Sequence, residues 1–456
     1  MENRGEPVAR TPVPPAVPPA VPPAVPPAVP PAEQAADPAV QRHVLRVLVI
    51  SQVLSGAGLA AGITVGALLA QDMLGSTGLA GLPSALFTAG SACAAIAVSR
   101  ISAARGRRPG LAAGYATGAV GSAGVITAAA LDSPVLLFAA LFVYGAGTAT
   151  NLQARYAGAD LAAPGHRARA VSTVLVATTL GGVLGPNLAA PTGDLAHLLG
   201  LPRLAGPFLL AGLAYAAAAL VLATRLHPDP LLLARAAAAA APDAPTGAPT
   251  TPTGAPGPVP DVPADPVAAA RIRNRVLLGA QVMVVTQLVM VAVMTMTPVH
   301  MHDHGHGTAA SGLVIALHVA AMYLPSPLTG RLVDRHGPLT VGAAAGLTLL
   351  AAGLVAALAP AGSVALLALA LVLLGLGWNF GLVSGTAVIT EAAPLATRAR
   401  TQGAVDVAIA VSGTTGGLAS GAVVDLAGYS ALALGGGLLA LVILPALAAT
   451  ATRSRR

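Results

Sequence analysis

Gly330-Arg331-Leu332-Val333-Asp334-Arg335-His336-Gly337 lies between two long apolar runs, and a degenerate copy, Ser99 to Gly106, stands 231 residues earlier. The same shift maps Arg167 on Arg398, Arg169 on Arg400, Asp160 on Glu391, Asp72 on Asp303, Gly182 on Gly413, Gly185 on Gly416 and Asp194 on Asp425. In a chain that is only 9% charged, so many like-for-like polar matches point to duplication. The chain therefore reads as two copies of one membrane-embedded half.

Composition agrees. Hydrophobic residues make up 55% of the 456, and the mean hydropathy is +0.76, far from a soluble domain with about a quarter of its residues charged. A bilayer core of about 30 Å takes roughly 20 apolar residues per helix. Such runs fall at 47–70, 80–99, 111–131, 134–153, 170–192, 205–224, 276–298, 309–329, 339–359, 363–383, 402–424 and 429–449. The expected fold is all-α and polytopic, with twelve transmembrane helices in two pseudo-symmetric six-helix bundles at 44–225 and 274–451.

Apart from histidine every basic residue is Arg. With the N-terminus placed in the cytoplasm, only Arg203 falls outside, while Arg42, Arg46, Arg100, Arg225, Arg271, Arg273, Arg275, Arg453 and the loop arginines named below fall inside. This asymmetry predicts a multi-pass protein of the plasma (inner) membrane with both termini cytoplasmic. The net charge of +7 then reports topology, and no nucleic-acid partner is expected. Cys93 is the single cysteine, so no internal disulfide forms. Residues 1–43, with Pro-Pro-Ala-Val repeats, read as a solvated polyproline tail. Residues 226–273 read as a Pro- and Ala-rich cytoplasmic linker with a short helix near Leu231 to Ala241, and 452–456 as a basic cytoplasmic tail.

Twelve runs, a long central loop and Gly330-x-x-x-Asp334-Arg335-x-Gly337 between runs 8 and 9 together resemble the major facilitator superfamily, over about 40–451. Glycines at both ends of the motif permit a tight turn, and Asp334 can accept bonds from arginines or a helix N-terminus, or simply cap its loop. Such a cluster can fasten the halves on the cytoplasmic side. The first copy has Ser99, Ala103 and Ala104 where the motif has Gly, Asp and Arg, leaving Arg105, Gly106, Arg107 and Arg108. Asp334 is thus expected to carry the lock alone, with Arg105, Arg107 and Arg108 anchoring the interface beside Arg167, Arg169, Arg398 and Arg400.

Gly181-x-x-x-Gly185-Pro186 in run 5 looks like the core of the superfamily's drug/proton antiporter motif, with Ala189 and Pro191 at later glycine positions. The resemblance implies proton-coupled efflux of a small amphipathic or apolar compound. Uptake permease or facilitator stands beside it, because the superfamily's helix-4 arginine has no counterpart before Gly145. Arg155 lies near the cytoplasmic end instead, either facing the cavity with Asn151 or snorkelling to the interface. Asp406 is the acid placed inside a run, a proton carrier or a partner of a neighbour such as Arg400, and His318 is the second titratable candidate.

Gln287, Met290 and Met294 share one helical face and suit an apolar or neutral substrate. Gln52, Tyr323, Trp378 and Asn379 are further cavity candidates. His300, His302, His304 and His306 alternate around Asp303 just outside run 7, where only an extended or looped backbone would bring them together, as a plain loop, a pH-sensitive gate or a weak metal site. A membrane sensor acting through 300–306 is the reading from another class. No nucleotide-binding loop or catalytic constellation is present in the sequence, so neither an enzyme nor a cofactor is expected, and the partners are a small molecule, protons and the bilayer, with the chain as a monomer.

Overall fold

The computed structural model describes residues 35, 37–60, 69, 73, 82–240, 266–360 and 362–447. Its helices are α1 (Pro38–Ala60), α2 (Leu82–Arg105), α3 (Arg107–Ala130), α4 (Pro134–Ala159), α5 (Arg167–Asn187), α6 (Ala189–Leu198) and α7 (Gly206–Arg225) in the first half. The linker contributes α8 (Pro230–Ala240). The second half holds α9 (Pro266–Asp303), α10 (Thr308–Tyr323), α11 (Ser326–His336), α12 (Pro338–Leu358), α13 (Val364–Ala392) and α14 (Arg398–Ala440).

Helix α14 is too long for one pass, since a helix rises about 1.5 Å per residue and the bilayer core spans about 30 Å. Gly428, at φ +83°, turns the chain inside it and separates two passes. Pro325, which has no N–H to donate, separates α10 from α11, and the two form one broken pass. With these divisions α1, α2, α3, α4, α5, α7, α9, α10 with α11, α12, α13 and the two parts of α14 give twelve passes among the described residues. Gly106 and Gly337, repeat mates, turn their corners at φ +97° and +85°, a region that side chains disfavour.

Some boundaries differ from expectation. The fifth run extends to 192 in the sequence, but α5 ends at Asn187 and α6 follows after Leu188, with Pro191 in its first turn, where a missing N–H is harmless. Helix α1 begins at Pro38, inside the expected polyproline tail, and α9 begins at Pro266, inside the expected linker.

In the first half the core gathers around Tyr115, Tyr144, Phe208 and Tyr215, with Tyr144 edge-on to Phe208 at 5.4 Å between ring centres. In the second it gathers around Met290, Leu349, Leu371 and Trp378. Small residues let helix backbones touch. One such approach is at Gly416, where an added Cβ would lie 2.6 Å from Leu288 O. A Cβ at Gly121 would lie 2.5 Å from Tyr144 Cα, against main chain that has nowhere to go. Gly121→Ala is therefore expected to destabilise by about 1–3 kcal/mol. A thermal unfolding scan checks this, with Gly312→Ala, where a Cβ meets nothing within 4 Å, left unchanged.

Candidate functional site

The arginine-rich ends of the two halves meet through charge. Helix α11 ends beside the start of α5, and Asp334 accepts the main-chain N–H groups of Ala168 and Arg169, both at 3.1 Å, with the Arg169 guanidinium 4.0 Å away. An acid on exposed donors at a helix N-terminus is favoured by the helix dipole. The contact closes because Gly330 has no side chain: a Cβ there would stand 2.5 Å from Ser172 Oγ and 2.8 Å from Ala168 O.

The symmetric crossing joins α2 to α14, and there the roles are exchanged. Ser99 replaces the glycine, and Gly403, the repeat mate of Ser172, supplies the room, since a Cβ on Gly403 would run into Ser99 Oγ. Each crossing thus pairs one glycine with one serine. The departure at Ser99 is a compensated swap.

A second acid also stands between the halves at this end, where Asp334 alone was expected. Asp160, at the end of α4, is buried and takes Arg107 Nε at 2.8 Å, with Arg398 of the other half 3.8 Å away. Arg107 also donates to Gln402 Oε1 across the halves. Of the three arginines expected to anchor the interface, Arg107 is the one that crosses. Arg108 gives its main-chain N–H to Asp229 of the linker at 2.7 Å and its side chain faces His227, while Arg105 is exposed. Arg335 and Arg400 are exposed as well, and Arg167 lines a cavity of about 200 Å³ with Asp160 and Arg398.

Further in lies a second cross-half pair. Arg155 of α4 is fully buried, so it does not snorkel, and it bonds to different partners from Asn151 one turn away. Its Nη2 donates to Asp406 Oδ1 at 2.7 Å and to Tyr156 Oη at 2.7 Å, and its Nε donates to Thr386 Oγ1 at 3.1 Å. The Tyr156 hydroxyl donates to the same carboxylate oxygen at 3.1 Å. Thr386 is the repeat mate of Arg155, 231 residues on, so the contact sits on the pseudo-two-fold axis. The partner of Asp406 is this arginine of the opposite half, in place of the expected Arg400. Asp406 Oδ2 is buried and, among the described residues, has no hydrogen-bond partner.

Several expected cavity residues are held by packing instead. Gln52 donates to Asn151 O at 3.1 Å and Thr178 Oγ1 at 3.0 Å and accepts from Tyr115 Oη at 2.6 Å, while Asn151 donates to Ser55 Oγ at 2.8 Å. Both side chains knit the first bundle together. Asn379 has its amide satisfied by Met322 O, Ser326 Oγ and Thr329 Oγ1, all within 2.7 Å, at the break between α10 and α11. Each polar group spent on a helix partner is unavailable to a substrate.

Three of the candidates come together. Trp378 Nε1 donates to Gln287 Oε1 at 2.7 Å, and Tyr323 stands edge-on to the indole at 5.6 Å. Gln287 also abuts α14, its Nε2 being 3.0 Å from where a Cβ on Gly413 would lie. Met290 is buried in the core and Met294 packs against it. His318, fully buried, donates Nδ1–H to Leu371 O at 2.8 Å, which leaves Nε2 as a bare acceptor without a partner among the described residues.

The histidine stretch is helical as far as Asp303, and only His304 to Gly307 form the expected loop. Helix α9 runs to Asp303, so His300 and His304 stack at 4.3 Å one turn apart, and His300 also lies flat on Tyr429 at 4.3 Å. His302 and His306 line a separate cavity of about 450 Å³ with Pro298, Val299 and Ser311. Among the described residues no cluster of three or more His, Cys, Asp or Glu suits a metal ion. Helix α5 runs through Gly181, Gly185 and Pro186; the side-chain surroundings of the last two lie outside the described residues, as does Asp72.

The residues that sequence reading missed are Asp160 as an ion-pair partner between the halves, Gln402, Tyr156, Thr386 and Gly403. The shift of 231 carried a signal for two of them: it pairs Arg155 with Thr386, and Ser99–Gly403 with Gly330–Ser172.

Comparison with known proteins bears on the class. A sequence model of the Major Facilitator Superfamily matches residues 48–341 and 282–456. The chain is 53% identical over 390 residues to the uncharacterized MFS-type transporter YdeG of Bacillus subtilis (strain 168), covering 85% of this chain and 87% of that one. It is 51% identical over 388 residues to YddS of the same strain, also an uncharacterized MFS-type transporter, over 85% and 86%. In structure it is similar to the human organic anion transporter MFSD10, with a TM-score of 0.68 over 89% of this chain and 99% of that one, at 18% identity. That last likeness speaks to fold.

Proposed function

This chain belongs to the Major Facilitator Superfamily and is a membrane transporter, and from that premise we propose that it exports a small amphipathic or apolar compound in exchange for protons. One observation carries the reading: a buried Arg155–Asp406 pair joins the two halves, and the second carboxylate oxygen has no hydrogen-bond partner among the described residues. A charge pair in a low-dielectric interior holds only while both partners are ionised. A proton on Asp406 Oδ2 removes one charge, leaves Arg155 uncompensated and favours separation of the halves.

The arginine asymmetry supports a cytoplasmic position for the closed end. A proton arriving from outside then loosens the pair, the cytoplasmic end opens, and the proton leaves as a cytoplasmic substrate enters. The cycle alternates access around a fixed site in a single subunit, by rocking of the halves.

The substrate surface is the Gln287–Trp378–Tyr323 cluster. Its indole and phenol faces suit an apolar body, and Gln287, with Oε1 held by Trp378, has its Nε2 donor for one polar group. Trp378→Phe, which keeps a ring and loses the Nε1 donor that holds Gln287 in place, is expected to raise KM about fivefold with kcat little changed, because a hydrogen bond between neutral groups is worth about 1 kcal/mol.

The test is proton movement in inside-out vesicles holding the protein, followed with a pH dye while cationic, neutral and anionic amphiphiles are added. A compound that drives protons in the parent but fails in Asp406→Asn supports exchange. Labelled compounds that equilibrate with no proton movement would replace the exporter reading with that of a facilitator.

A further inference from the structure

The two crossings at the arginine-rich end are related by the repeat, yet only one has its acid. At the first, Asp334 reaches from the last turn of α11 to the N-terminus of α5. At the second, the equivalent position on α2 is Ala103, which has nothing to reach with. The linker fills that place. Arg235 of α8 donates from Nη1 to Ala103 O at 2.8 Å, from Nε to Leu395 O at 3.1 Å and from Nη2 to Ala396 O at 3.0 Å. Ala103 O belongs to the last turn of α2, where helix carbonyls lack intrahelical partners and the dipole favours a cation. Leu395 and Ala396 lie on the other half, between α13 and α14. The planar guanidinium fork therefore spans both halves, with three acceptors that are all main chain.

The linker is itself braced against the first half. Asp229 accepts the N–H groups of Arg108 at 2.7 Å and of Leu231 and Leu232 at 3.1 Å, which ties the start of α8 to the start of α3. Leu231 and Leu233 are buried. Arg235 thus projects from an anchored helix.

We propose that Arg235 is a further fastening of the closed end, beside Asp334 and the Asp160–Arg398 and Arg107–Gln402 contacts, standing in for the acid that the first repeat lacks at position 103, and that its bonds to Leu395 and Ala396 must break before this end opens. It touches no substrate in this arrangement and is a positioning residue. Sequence identity of the acceptors is immaterial to it, because it reads carbonyl oxygens.

The test uses the full chain with Cys93→Ser, spin labels on cysteines placed at the exposed positions Ala104 and His336, one in each half, and pulsed distance measurements in proteoliposomes. Arg235→Ala is expected to raise the long-distance population about tenfold, since hydrogen bonds from a charged donor are stronger than neutral ones. Arg235→Lys, which keeps the charge but loses the fork, is expected to give a smaller rise and serves if the alanine variant fails to fold. Arg273→Ala, an exposed arginine on the linker side of α9, is expected to change nothing. Distances identical to the parent in both Arg235 variants overturn the proposal, as does an equal shift in Arg273→Ala. The inference rests on the alternating-access reading, but a parent fixed at one distance beside an opened Arg235→Ala would sink that reading and leave the fastening standing.

Discussion

Asp406→Asn is expected to abolish substrate-driven proton movement, by about 100-fold or more, the scale seen when a positioned proton-transfer group is removed. The side chain is nearly isosteric but neutral, so like the protonated acid it leaves Arg155 uncompensated and favours separated halves; what disappears is the site that takes and releases a proton. Arg155→Ala acts differently. It leaves a carboxylate buried without its cation, and removing one partner of a buried pair typically destabilises by about 3–5 kcal/mol. The double variant Arg155→Ala with Asp406→Asn removes both charges and is expected to regain most of that loss. Unfolding midpoints of the three variants in detergent, set beside their proton fluxes, separate the two roles. Stoichiometric proton movement in Asp406→Asn would end the assignment.

Gly330→Val is expected to hold the arginine-rich end open. The new side chain meets Ser172 Oγ and the main chain at Ala168 and Arg169, all within 2.9 Å of its Cβ. Those atoms face Gly330 across the two halves, so the overlap penalises the closed arrangement and leaves each half's own fold alone. A clash worth about 1–3 kcal/mol shifts a two-state equilibrium roughly 5- to 150-fold. Thr390, fully buried beside Gln402, reports it: in a Cys93→Ser chain, a cysteine at 390 should react with maleimide at least about tenfold faster when Gly330→Val is added. The other crossing offers a compensation test. Gly403→Ser alone should behave like Gly330→Val, and adding Ser99→Gly should restore closure, because the double variant rebuilds the arrangement found at Gly330 and Ser172. Unchanged labelling in Gly330→Val would show that this contact does not form the gate.

Much of this was legible in the chain. Twelve apolar runs and a motif recurring after 231 residues are local or periodic signals, and the bilayer enforces them, since every backbone polar group in a span must be satisfied within its own helix. Asp406 could be singled out because an acid inside an apolar run is rare. Its partner could not. Arg155 stands 251 positions away, near the end of its own run, and a long flexible cation there fits the interface equally well until the neighbouring half is in place. For the same reason Gln52, Asn151 and Asn379 read as cavity residues: periodicity gives a face, but whether that face meets a helix carbonyl or open space depends on rotation and crossing angle.

The sequence by itself determined the helical membrane class, the duplication and the corner at Gly337, because each rests on composition, spacing or a backbone angle that a single residue type permits, whereas Gly330, expected to turn the chain, lies inside α11. Only the tertiary structure decided which charges pair. Asp160 with Arg107 and Arg398, Arg155 with Asp406, and Arg235 with three carbonyls all join segments far apart in the chain. An ion pair or hydrogen bond is set by distances of about 3–4 Å, and those distances exist only after the two halves have packed against each other.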